Sequence, residues 1–168
     1  MRTLIIISLI ALSLSGNAAT IKSYLLNNKF TRAGAAGVMG NLYAESGLNP
    51  RVYERSKHKR IGLSDEDYIR KTNDGSYKNF INDKAGFGIA LWVHYSKKRE
   101  LLNMCRGKIS DLYCQLNFFI KDLKEYPGVY KILKNTHDLN TACDKIFIDF
   151  GGYEFTFKEN RNYCKKFI

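Results

Sequence analysis

The sequence predicts a mainly α-helical single domain with at most a small β excursion, stapled by disulfides. Three observations carry this expectation. Apolar residues recur at helical spacing along most of the chain, no long Pro/Gly/Ser linker or internal repeat interrupts residues 20 to 168, and the four cysteines form an even set behind an export-type leader.

The leader comes first. Met1-Arg2-Thr3 precedes an apolar run from Leu4 to Leu12 broken only by Ser8, then a stretch rich in small residues from Ser13 to Ala19, the layout of a secretory signal peptide. The apolar run is too short to span a bilayer. Cleavage after Ala18 or Ala19 leaves residues 19–168 or 20–168, about 150 residues, enough for one domain with a sizeable core.

The body of the chain then reads as a succession of helices. Ile21 to Phe30 forms a short first helix, and Thr31 caps a second that runs through the small residues Ala33 to Gly37, suited to close packing, and on to Glu45. Residues 51 to 63 show no clear period and form an irregular or short β segment. Ser64 starts the next helix, with Asp65, Glu66 and Asp67 in its first turn. Ser76 to Lys84 is a further short helix. The glycines of Ala85-Gly86-Phe87-Gly88 mark backbone held tightly against something. Ser96 to Arg106 resumes the helix. Ser110 to Tyr126 carries the clearest core stripe, Leu112, Leu116, Phe119 and Leu123, with Pro127 closing it. Leu139 to Phe150 and Lys158 to Phe167 complete the domain, and the aromatic stretch Gly151 to Phe157 is either strand or loop.

Cys105, Cys114, Cys143 and Cys164 in an exported chain predict two disulfides; of the three possible pairings, proximity favours Cys105 with Cys114 and Cys143 with Cys164. No two cysteines or histidines stand at zinc-ligand spacing, so neither metal nor cofactor is expected. Lys plus Arg number 27 against 16 acids, a net charge of +11, or 26 against 16 and +10 once Arg2 leaves with the signal. This excess predicts a negatively charged partner, and export favours an extracellular polyanionic surface over nucleic acid. The basic runs Lys57-His58-Lys59-Arg60 and Lys97-Lys98-Arg99 read as solvated faces.

Glu45 is the chemically informative residue. Val38, Leu42 and Glu45 stand at i, i+4 and i+7, so the carboxyl takes a core-facing slot, while Gly47 and Pro50 end the helix just beyond it. Apolar neighbours and the negative end of the helix dipole both favour the protonated form, as a general acid requires. The alternative is a polar residue facing water at a frayed helix end.

Two separated blocks, Ala36-Gly37-Val38-Met39-Gly40-Asn41-Leu42-Tyr43-Ala44-Glu45-Ser46-Gly47-Leu48-Asn49-Pro50 and Gly86-Phe87-Gly88-Ile89-Ala90-Leu91-Trp92 followed by Lys98-Arg99, resemble the phage tail lysozyme family. The Glu-Ser-Gly-Leu-Asn-Pro run is more distantly similar to goose-type lysozymes and soluble lytic transglycosylases. The resemblance implies a lysozyme-like fold and cleavage of the β-1,4 bond between N-acetylmuramic acid and N-acetylglucosamine in peptidoglycan. Glu45 matches the family's catalytic acid, and Tyr43, Gly88 and Trp92 become substrate-binding candidates. Asp83, just ahead of the glycine turn, is the candidate second carboxylate, its alternative role being to cap that turn. Trp92 either faces a sugar ring or fills the core behind the turn. The family usually carries Gln where this chain has Leu91.

The resulting expectation is a secreted, extracellular or phagolysosomal, monomeric muramidase that acts on bacterial peptidoglycan, with no nucleic-acid partner and no stable membrane insertion. The rival is a catalytically silent cationic protein that binds walls or damages membranes, motivated by Leu91 and the charge.

Overall fold

A computed structural model of the chain describes residues 16–151 and 156–168; residues 1–15, most of the expected leader, and residues 152–155 of the aromatic stretch lie outside the described range, while residues 16–19 of that expected leader fall at the start of the first helix. In chain order the helices are α1 (residues 16–27), α2 (Arg32–Ser46), α3 (His58–Ile61), α4 (Asp65–Asn73), α5 (Tyr95–Met104), α6 (Leu112–Leu123), α7 (Pro127–Asn135), α8 (Leu139–Asp149) and α9 (Phe157–Lys165). The protein is mainly α, as expected. Extended pairing among the described residues amounts to the antiparallel bridges Tyr53–Phe87 and Phe87–Trp92. No helix among them is long and apolar enough to cross a membrane.

Among the described residues the helices gather into two compact units, one holding residues 16–48 and those from Asp122 onward, the other spanning Asn49–Lys121. In the first, α2 is central and packs against α7, α8 and α9. Its residues from Ala33 to Leu42 are all buried, so this helix is enclosed on every side rather than along one stripe. Glycine at every third position makes that possible. A Cβ on Gly34 would stand 1.8 Å from the Leu133 carbonyl oxygen of α7. One on Gly37 would lie 3.1 Å from the Ala142 backbone of α8, and one on Gly40 2.7 Å from Cys164 Sγ of α9. Three helices therefore approach the α2 backbone where side chains are missing.

Local chemistry sets the ends of these helices. The Thr31 hydroxyl accepts the Gly34 N–H at 2.9 Å and donates to the Thr136 carbonyl at 2.6 Å, capping α2 and tying it to the end of α7. Gly47, at φ +64°, closes α2. α9 opens with a capping box between Thr156 and Glu159 and is joined to α8 by the Cys143–Cys164 disulfide, whose Cα atoms are 6.2 Å apart, and by the Arg161–Asp144 ion pair.

The second unit contains α3, α4, α5 and most of α6 around the buried rings Tyr53, Tyr68, Phe80, Phe87, Trp92 and Phe118. Ser64 caps α4 by accepting the Asp67 N–H at 3.1 Å. Cys105–Cys114, with Cα atoms 5.8 Å apart, staples the end of α5 to the start of α6. Both cysteine pairings that proximity favoured are thus present, one in each unit.

Several segments differ from expectation. The first helix covers residues 16–27 rather than Ile21 to Phe30, and residues 51–63, expected to be irregular or β, hold the short helix α3 beside the Tyr53 bridge. Ser76 to Lys84 is a run of turns, because the Asp83 carboxylate takes the Ala85 N–H at 2.9 Å and Lys84 adopts φ +56°, a local arrangement that competes with helix. Pro127 does not close α6, which already ends at Leu123. It opens α7 instead, where a residue without an N–H costs no intrahelical hydrogen bond.

Replacing Gly34 by Ala is expected to destabilise the protein by up to about 3 kcal/mol through overpacking, more than the ~1 kcal/mol that Ala contributes in helix propensity. Gly128→Ala in α7, where a Cβ meets nothing within 4 Å, should instead be neutral or stabilising. Urea unfolding of both variants checks the opposite signs. Opening Cys143–Cys164, which closes a separation of 21 residues, should cost about 3 kcal/mol, read from unfolding of the Cys143→Ser, Cys164→Ser double variant.

Candidate active site

The final turn of α2 carries Glu45, as the spacing of Gly47 and Pro50 predicts. The residue is half-buried, one turn beyond the fully buried Leu42. Past it the chain turns sharply, with Gly47 at φ +64° and Leu48 at φ +62°, a left-handed pair in which only the glycine is free of strain. The Leu48 carbonyl accepts from Asn17 Nδ2 at 3.1 Å, a bond made by a residue of the expected leader and so lost if that leader is cleaved.

Tyr43 lies in the same turn. Its ring centroid is 5.9 Å from that of Tyr163 and 5.7 Å from that of Phe167, and the Lys166 ammonium sits 4.3 Å from the ring centre. The C-terminal segment therefore packs against this ring through three of its residues.

In the second unit, Phe87 and Trp92 exchange backbone hydrogen bonds at 3.2 and 3.0 Å and close a tight turn around Gly88. Gly88 has φ +79°, and a Cβ there would stand 2.6 Å from Gln115 Oε1. Gln115 is what the glycine turn is held against. This fully buried amide accepts the Ile89 N–H at 2.8 Å and donates to the Pro50 and Ile109 carbonyls at 2.8 and 2.6 Å. Sequence reasoning passed over it; the available signal was a single Gln between Cys114 and Leu116 on an otherwise core-facing stretch. Leu91, in the turn, holds φ +42°. Trp92 is 5 % exposed and packs edge-on against Phe118 at 4.9 Å, the arrangement of a core residue.

Asp83 is 1 % exposed and saturated with donors. It accepts from Tyr68 Oη at 2.6 Å, Tyr77 Oη at 3.1 Å, the Ala85 N–H at 2.9 Å and Lys98 Nζ. Lys98 is 0 % exposed, so the basic run Lys97-Lys98-Arg99 is not a uniformly solvated face. Its ammonium also donates to the Ala85 carbonyl at 2.9 Å and to Tyr68 Oη at 3.1 Å, and lies 4.4 Å from the Phe80 ring centre. Burial lowers the Lys98 pKa below the usual lysine range while Asp83 pulls it back up. Burial and the neighbouring Asp83 raise both phenols, Tyr77 to about 12.

Glu54 is the carboxylate that remains half-exposed beside the glycine turn. Its Oε2 accepts the Gly86 N–H at 3.3 Å. Burial raises its pKa, but hydrogen bonds from Ser56, Gly86 and Lys57 outweigh that and hold it below the ordinary glutamate value. Asp65 and Asp67 stand in the first turn of α4, as their spacing predicts. No three His, Cys, Asp or Glu side chains among the described residues converge in a way that could hold a metal ion.

Removing one partner of the Asp83–Lys98 pair leaves a buried charge uncompensated, so Asp83→Asn or Lys98→Met alone should cost about 3–5 kcal/mol in denaturant unfolding. The phenols add a pH dependence of known sign. Because Tyr77 titrates higher in the folded state than at its unfolded value near 10, its stabilising contribution is complete below pH 10 and is lost as pH rises toward 12. Unfolding midpoints measured across that window should fall, and Tyr77→Phe should flatten part of the decline.

Compared with known families, residues 16–164 match the one described as phage tail lysozyme. No curated protein and no solved structure matches the chain. The family match takes in the Glu45 helix end, the glycine turn and both disulfides together, and on that ground the chain belongs to the phage tail lysozyme family.

Proposed function

We propose that this protein is a secreted muramidase in which Glu45 is the general acid. Family membership already indicates a lysozyme-like enzyme that degrades peptidoglycan; the finer reading concerns the bond cleaved and the residue that acts. The observation that carries it is the placement of one carboxyl, half-buried, in the last turn of a helix whose preceding turns are entirely enclosed.

Two physical effects suit Glu45 to this role. Partial burial penalises its ionised form and the carbonyl-rich end of α2 repels negative charge, and both effects work toward the protonated acid. In that state it protonates the glycosidic oxygen as the bond from N-acetylmuramic acid to N-acetylglucosamine lengthens, leaving an oxocarbenium-like sugar. Water then yields a reducing end, or the sugar's own 6-hydroxyl closes a 1,6-anhydro ring.

Asp83 is assigned a structural role in this reading rather than that of base or nucleophile. Its oxygens are occupied by two phenols, a backbone amide and an ammonium, and it is closed to solvent. Trp92 is assigned to the core for the same reason of burial. The disulfides support an oxidising, extracellular setting, and the +11 charge supports attraction to anionic walls.

Purified protein should clear suspensions of Gram-positive walls, and Glu45→Gln should slow clearing by ~10²-fold or more while leaving the circular dichroism spectrum unchanged. Equal clearing by the variant would remove Glu45 from the mechanism; sedimentation with walls but no clearing by either protein would favour the silent cationic binder. Mass spectra of the released muropeptides separate hydrolysis from transglycosylation by one water. Raising ionic strength should slow wall association, because long-range attraction between the basic protein and the wall is screened.

A further inference from the structure

Asn41 is 1 % exposed, and neither its Nδ2 nor its Oδ1 has a hydrogen-bond partner among the described residues. An amide buried in this way is costly, and helix packing does not call for it. From Ala33 to Leu42 every other residue of α2 is Ala, Gly, Val, Met or Leu. Room is nevertheless kept for this one polar group: a Cβ on Gly151 would stand 2.2 Å from Asn41 Nδ2, so a larger residue there would collide with the amide.

The position of Asn41 on the helix gives the amide a task. It precedes Glu45 by four residues, so the two side chains are neighbours on one face, with Cβ atoms about 5–6 Å apart. Helical side chains lean toward the N-terminus, which brings Glu45 back over the turn that holds Asn41. A single water spans such a gap, and an amide offers it both a donor and an acceptor.

We propose that Asn41 is a positioning residue for Glu45, holding a buried water that accepts from Nδ2 and donates to the carbonyl oxygen of the protonated Glu45. The acid's O–H is then left pointing away from the helix, where a glycosidic oxygen can receive its proton. The water fixes the rotamer of the acid without touching substrate. The inference rests on the reading of Glu45 as the general acid.

The test compares wild type, Glu45→Gln, Asn41→Leu and Asn41→Asp in wall clearing across pH, with thermal unfolding measured alongside. Asn41→Leu replaces the amide and its water by an apolar group of similar volume, so Tm should stay within roughly 2–4 °C of wild type while kcat falls roughly 10- to 100-fold and KM moves little. Asn41→Asp places a like charge beside Glu45 and should shift the alkaline limb of the pH–rate profile upward. A Leu variant with full activity, or one whose Tm falls together with its activity, would show that the amide does not serve Glu45. If the Leu variant does not fold, the Asp variant decides, and an unmoved alkaline limb overturns the proposal. Clearing by Glu45→Gln at the wild-type rate would instead bring down the muramidase reading, and this inference with it.

Discussion

The first unit depends on how closely three helices can approach the backbone of α2. Gly34, Gly37 and Gly40 present bare backbone to α7, α8 and α9 in turn, and the contact at Gly34 leaves no space for even a methyl group. Dispersion and burial scale with such proximity, so the glycine row sets the distance at which the unit closes. It also determines what the end of α2 can be. With every residue from Ala33 to Leu42 enclosed, Glu45 is carried on a rigid rod, and the left-handed Gly47 ends that rod two residues later. The proposed role of Glu45 fits this placement, because a proton donor must keep its geometry.

The second unit is organised around polar groups. Asp83 and Lys98 are both closed to solvent, and each would be intolerable alone. Two tyrosine hydroxyls, a backbone amide and a carbonyl complete their hydrogen bonding, so the pair specifies one arrangement of the turns between α4 and α5. Gln115 does the same for the glycine turn, binding Ile89, Ile109 and Pro50 at once. Each unit also carries one disulfide, joining α5 to α6 in one and α8 to α9 in the other.

Features that depend on a few consecutive residues were legible in the sequence. Thr31 and Ser64 cap the helices they precede, Gly47 ends α2, and Leu116, Phe119 and Leu123 are buried as their period implies. Pro127 is ambiguous in the sequence because a proline stops one helix and starts another by the same chemistry, and only the burial of Val129 and Leu133 in the fold distinguishes the two. Ser76 to Lys84 departs from helix where a side chain, Asp83, takes the backbone donor of Ala85.

The sequence by itself determined the mainly helical class, the caps at Thr31, Ser64 and Gly47, the even set of cysteines, the excess of positive charge and the motif that carries Glu45. These follow from spacing and composition, which are local properties of the chain. Only the tertiary structure decided which polar residues are buried and what they bond to. Asp83 and Lys98, 15 positions apart, became a closed ion pair; Gln115 became the anchor of a turn 26 positions away; Asn41 was left buried without a partner among the described residues. Burial is a property of what packs around a residue, and no pattern of its immediate neighbours encodes it.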